Sequence, residues 1–220
     1  MPNSESNFLR TILLLSVCFA FSGSTSSMTV SASSLIGYGL ADNKALATLP
    51  ISFHLLGTML AGIPASLLMK RVGRRYGFMI GTGIGVSGAA AATLAIIYSN
   101  FIFFCLSIFL LGLLSGFSQL YRFAAAEVAS TELRAKAVSW VMLGGIIAGF
   151  IGPTIAVKAK DLIADAPFAG SYLVVIILHV VIVAILFMIR LPQPTVEEQT
   201  GESRPWREIF SQPKFIVAVL

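Results

Sequence analysis

The chain has 220 residues, 56% of them hydrophobic and only 11% charged, with a formal net charge of +5. A soluble domain carries about 25% charged residues, so this composition excludes an ordinary water-soluble enzyme and points to a chain that crosses a membrane several times. The surplus cations form no aromatic-interleaved stripe of the kind that tracks nucleic acid, and no nucleic-acid partner is expected.

Residues 1–9 are polar, and Arg10 closes them. The apolar and small-residue run from Thr11 to Ile36 exceeds the core of a cleaved leader, about 7–15 residues. The sequence therefore predicts a retained first membrane helix over residues 11–36. Its centre reads Ser22-Gly23-Ser24-Thr25-Ser26-Ser27-Met28-Thr29. Hydroxyls can bond the carbonyl one turn back and so do not forbid such a helix. Their density still predicts a surface turned to protein or water. Ser22, Thr25, Ser26 and Thr29 become candidate pathway residues.

Residues 37–44 form a first outer loop, and helix two covers 45–69, with bends expected at Pro50 and Pro64. Inside it lies His54. An ionisable side chain within a membrane is a functional candidate by default; a histidine bonded to a neighbouring helix is the plainer alternative, and the same choice applies to His179 in helix six. Next comes Lys70-Arg71-Val72-Gly73-Arg74-Arg75-Tyr76-Gly77, with four cations inside six residues, read as a short cytoplasmic loop.

Helix three covers 78–98, and Ser99-Asn100 is a tight outer turn. Helix four covers 101–122; Gln119 and Tyr121 near its end join the candidate pathway. An inner loop, 123–136, holds Glu127, Glu132, Arg134 and Lys136. Helix five, 137–157, is rich in glycine, and a bend is expected at Gly149, Gly152 and Pro153. An outer loop covers 158–171, and helix six 172–189.

The polar segment 191–214 reads as a cytoplasmic linker with a short amphipathic helix around Trp206-Arg207-Glu208-Ile209-Phe210. Residues 215–220 read as the start of a truncated seventh helix. The expected organisation is thus a six-helix bundle over 1–190, the linker 191–214, and the fragment 215–220. Inner segments hold twelve of the fifteen Lys and Arg residues; Lys44, Lys158 and Lys160 lie outside. Loops rich in Lys and Arg stay on the cytoplasmic side, which predicts both termini inside.

Gly83, Gly85 and Gly88 match G-x-G-x-x-G, but the match lies in an apolar run with no preceding strand and no acid about 20 residues on. Gly81, Gly85 and Gly88 share a helical face, and close helix packing is the reading. Cys18 and Cys105 lie in apolar runs and read as buried thiols. No nucleophile–base set, metal spacing or intramembrane carboxylate pair is present, so no catalytic residue, metal or cofactor is expected.

The basic stretch Arg71-Val72-Gly73-Arg74-Arg75 resembles the R-x-G-R-R end of the signature between helices two and three of the major facilitator superfamily. The Gly and Asp that open that signature are Ser66 and Lys70 here. Glu127, the run Glu132-Leu133-Arg134-Ala135-Lys136-Ala137 and the Gly152-Pro153 pair resemble the family's second inner loop and fifth helix. The helix-four motif R-x-x-Q-G would begin at Gly112; Ser115 stands in its glutamine position and Gly116 matches. After Gly152-Pro153, Ala156-Val157 replaces the closing Gly-Gly of the antiporter motif.

The resemblance implies an all-α membrane protein. Six transmembrane helices would form one bundle of a twelve-helix fold built from inverted three-helix repeats. It implies a secondary active transporter moving a small solute, metabolite or drug-like, by alternating access. A cytoplasmic latch of Arg74 and Glu127 is implied, with Arg71, Gly73, Arg75, Arg122 and Arg134 around it. The implied partners are solute, membrane lipid, a carboxy-terminal six-helix half and a proton as coupling ion, in a bacterial inner membrane. With no Asp or Glu deep in the helices, proton coupling would rest on His54, His179, Glu127 or the second half. The alternatives are a non-transporting six-helix scaffold or receptor, or a half-size transporter that pairs with itself.

Overall fold

The computed structural model describes residues 2–189 and Leu191. The expected linker and truncated seventh helix lie outside the described residues. Among these residues seven α-helices form: α1 (Pro2–Leu40), α2 (Leu49–Val72), α3 (Arg74–Ile97), α4 (Phe101–Ser118), α5 (Tyr121–Val128), α6 (Arg134–Lys158) and α7 (Ala169–Met188). A 3₁₀ turn, Lys44–Leu46, precedes α2. Six stretches of the described residues are long and apolar enough to cross a membrane, with α4 and α5 together making the fourth.

The helices overrun the expected boundaries where polar residues favour helix. The first extends at both ends, and Pro50 occupies the opening turn of α2 instead of bending it. At that position proline's missing N–H has no intrahelical acceptor to lose. Pro64 does lie inside α2, and Pro153 inside α6.

The expected basic loop is one residue long. Lys70 and Arg71 finish α2, Arg74 and Arg75 open α3, and Gly73 alone separates them at φ 89° and ψ 158°. That region is open essentially to glycine, and another residue there costs about 1–3 kcal/mol. Lys and Arg are good helix formers, so a basic segment at a helix end prolongs the helix. The second inner loop shrinks likewise, because Tyr121–Val128 is helical.

Two helix pairs form the frame: α1 packs along α6, and α2 along α4. Small residues recur every four positions on the buried stripes, Gly57–Ala61–Ala65 in α2 and Gly144–Ala148–Gly152–Ala156 in α6. A carbon added at Gly144 would lie 2.5 Å from the Ser16 carbonyl oxygen, and one at Gly152 2.5 Å from that of Ser24. The α2–α4 pair repeats the device: Gly112 abuts the His54 carbonyl, and Gly57 that of Phe109. Matching the first three spans to the last three turns the α1–α6 pair into the α4–α2 pair, which is an inverted-repeat relation.

The glycines of α3 seat α4. Gly81 abuts Phe117, Gly85 abuts Leu114, and Gly88 abuts the α4 backbone at Ser107 and Leu111, whereas Gly83 faces open space. One buried cluster gathers Leu15, Met69, Phe78, Tyr121 and Leu186 at the end that carries the basic residues. Another gathers Met28, Phe104, Ile108 and Tyr172 at the far end. Large apolar side chains remain exposed on α2 (Met59, Ile63) and α6 (Ile146, Phe150), as expected of surfaces that meet lipid or another bundle.

Candidate solute pathway and basic-end latch

Ser115 is the node at which three helices meet. Its hydroxyl lies 2.5 Å from Ser26 Oγ of α1 and 3.5 Å from His54 Nε2 of α2, and 3.1 Å from the Leu111 carbonyl one turn back in α4. With its proton on that carbonyl, Ser115 accepts from Ser26. The close approach of α2 to α4 makes this reach possible. Gly112 lets the two backbones touch at His54, and Thr58 Oγ1 donates toward both the His54 carbonyl (3.0 Å) and the Gly112 carbonyl (3.2 Å). His54 is 4% exposed, and its Nδ1 makes no hydrogen bond.

The seven expected pathway residues separate into two groups. Ser26 and His54 converge on Ser115, and Gln119 lies exposed one turn below it. Ser22, Thr25, Thr29 and Tyr121 are enclosed by the bundle itself. Thr25 Oγ1 reaches back to the Phe21 carbonyl at 3.4 Å. Tyr121 stacks on Phe78 with ring centroids 4.0 Å apart. Ser22 Oγ and Thr29 Oγ1 are buried without a hydrogen bond. Ser115 and Thr58 are the additions that the sequence reading passed over. His179 is buried in α7, its Nδ1 2.7 Å from the Val175 carbonyl.

At the basic end, Arg74 grips Glu127 with two nitrogens. Nε donates to Oε2 at 3.0 Å and Nη2 to Oε1, while Nη1 rests 3.6 Å from Met69 Sδ. The bidentate fork fixes geometry as well as sign. The pair joins the start of α3 to α5 within this one bundle. Arg75 turns away from it: Nη2 donates to the Phe187 carbonyl at 3.1 Å, with the guanidinium over the Phe187 ring. Arg122 lies over the Phe123 ring, and Arg71 and Arg134 are exposed. In α6, Gly152 is buried against α1, while Gly149 is exposed with open space beside it. Among the described residues no three His, Cys, Asp or Glu side chains gather as metal ligands do.

The Major Facilitator Superfamily model matches residues 13–220. The chain belongs to this superfamily of membrane transporters. It is 36% identical over 214 residues to the riboflavin transporter RfnT of Brucella anthropi, covering 96% of this chain and 53% of that protein. It is 26% identical over 202 residues to the MFS-type transporter YdeG of Bacillus subtilis, covering 90% of this chain and 47% of that one. The chain thus spans about half the length of the curated relatives it matches.

Among solved structures, the inward-open xylose transporter XylE of E. coli aligns at a TM-score of 0.61 and 16% identity, over 99% of this chain and 54% of that one. The E. coli fucose:proton symporter FucP aligns at 0.65 and 14%, over 97% and 56%. These two likenesses establish the fold, a six-helix bundle of the major facilitator type.

Proposed function

We propose that this chain is the amino-terminal bundle of a secondary transporter and that a second bundle completes its solute pathway. The observation that carries the reading is the meeting of Ser26, Ser115 and His54 at one point between three helices. An ionisable side chain within a membrane is a functional candidate by default, and His54 is one. The half-length match to its relatives supports a partner bundle, against which this one rocks. In this reading the basic end faces the cytoplasm of a bacterial cell, both termini of residues 1–190 lie inside, and 191–214 links the halves.

The Arg74–Glu127 fork is the cytoplasmic latch, with Gly73 setting the turn behind it and Arg71 and Arg134 around it, while Arg75 ties the start of α3 to α7 at Phe187. Pro153 lacks an N–H for the Gly149 carbonyl, and the open space at Gly149 gives α6 a place to flex. His54 is the titratable group nearest the node and takes the coupling proton.

The solute is small and amphipathic, and the riboflavin transporter among its relatives makes flavins the first class to try. Proteoliposomes holding the chain joined to its following sequence are loaded with riboflavin and other aromatic metabolites, with and without a pH gradient. Saturable riboflavin transport that the gradient accelerates, and that His54→Gln uncouples from the gradient, is the expected result. No saturable transport of any solute in the panel contradicts the reading.

A further inference from the structure

One guanidinium at the basic end takes no part in the latch. Arg122 lies in α5 five residues before Glu127, roughly 7–8 Å deeper along the axis at a rise of ~1.5 Å per residue. Arginine stays protonated in proteins, so a full charge sits inside the span. Among the described residues the ion pairs are Arg74–Glu127 and Lys160–Asp161. Arg122 Nε is buried and makes no hydrogen bond, and the group rests 5.1 Å from the Phe123 ring centre. Arg75 Nε is also buried without a partner, but its Nη2 has the Phe187 carbonyl. Among the described residues Arg122 has no such acceptor.

Register supplies a second observation. Ser115, Gln119 and Arg122 follow at intervals of four and three, which sets them along one side of a helix. The joint between α4 and α5 is tightened, with the Leu120 N–H on the Phe117 carbonyl at 3.0 Å, but it stays right-handed and leaves the three on roughly one side. Gln119 and Leu120 hold right-handed helical dihedrals, and the Ala124 N–H reaches the Leu120 carbonyl at 3.1 Å. Tyr121, Ala124 and Ala125 bury the opposite side, while Gln119 and Phe123 are exposed. The polar node of Ser26, Ser115 and His54 therefore continues through an exposed amide to an unneutralised guanidinium.

We propose that Arg122, with Gln119 one turn away, recognises an anionic group, a carboxylate or phosphate, on solutes that enter the pathway; this rests on the transporter reading above, though not on riboflavin itself, which carries neither group. The guanidinium fork suits the two oxygens of such a group. Binding also relieves a charge that is expensive to leave unpaired in a membrane. An amphipathic organic anion then lies with its charged end at Arg122 and its body toward Ser115.

The test uses Gln119→Cys with Cys18→Ser and Cys105→Ser, in membranes, and charged methanethiosulfonate reagents of matched size. The anionic reagent should gain about tenfold in rate relative to the cationic one when Arg122 is present compared with Arg122→Gln, the effect of one nearby charge at intermediate dielectric. Arg122→Lys should keep most of that preference. Benzoate should slow the reaction and benzamide should not, and with Arg122→Gln neither should. A reagent preference untouched by Arg122→Gln, equal protection by benzoate and benzamide, or an inert Cys at 119 would each overturn the proposal. The benzoate–benzamide comparison needs no Arg122 variant and decides alone if Arg122→Gln fails to insert. Absence of riboflavin transport alongside benzoate-selective protection would retire the flavin reading and leave the anion site standing.

Discussion

Arg74 and Glu127 are 53 positions apart and meet because two helix ends, α3 and α5, turn up at the same level. Their side chains are 20% and 46% exposed, and exposed pairs contribute only about 0–1 kcal/mol. The pair therefore matters as geometry, holding the start of α3 against α5, more than as stability. Arg74→Glu should reduce transport at least several-fold with normal expression, and adding Glu127→Arg should recover part of it; uptake by the single and double variants decides this. No recovery in the double variant counts against a gating role for the pair. This contact was legible in the motif residues. Ser115 was not, because nothing local distinguishes one serine in an apolar run. The signal available was its place where the resemblance expects a glutamine. Ser22, Thr25 and Thr29 look alike in sequence to Ser26, and only the packing of α6 and α4 around α1 separates the enclosed hydroxyls from the one that reaches Ser115.

Helix pairs stand or fall on their glycine contacts. A side chain at Gly112 would meet the His54 backbone, and one at Gly144 the Ser16 carbonyl. Backbone cannot step aside as a flexible side chain can. Gly112→Val and Gly144→Val should each destabilise the bundle by about 1–3 kcal/mol or more, read as a lower midpoint in detergent unfolding. Gly62→Ala and Gly83→Ala, whose positions have nothing within 4 Å, should stay near the parent. Equal loss at all four positions would mean that helix propensity, and not close approach, governs. The α3 glycine face was readable because its spacing is helical inside a long apolar run. The helix ends were not: a basic segment carries the same residues whether it forms a loop or prolongs two helices around Gly73. The fourth span conceals its tightened turn at Gln119–Leu120 for a similar reason, since no proline or glycine marks it.

At the level of the molecule, the six spans among the described residues and their order follow from hydrophobic length and charge, which act along the chain and need no tertiary information. With twelve of fifteen cations assigned to one side, cysteines replacing Arg74 and Asn100 in a cysteine-free background should label from opposite faces of the membrane. Labelling of position 74 by an impermeant reagent in intact cells would reverse the orientation. What connectivity cannot supply is the side of the bundle that faces a solute, because that depends on which polar groups three packed helices leave unenclosed. The claim that the Ser26–Ser115–His54 meeting point is such a place, exposed to each side in turn, is tested most directly at Ser26, the half-buried member. Ser26→Cys in the protein joined to its following sequence should react with an impermeant thiol reagent applied from either face of sealed vesicles of known orientation, and transported solute should slow both reactions. Reaction from one face only, or none from either, would contradict alternating access at this site.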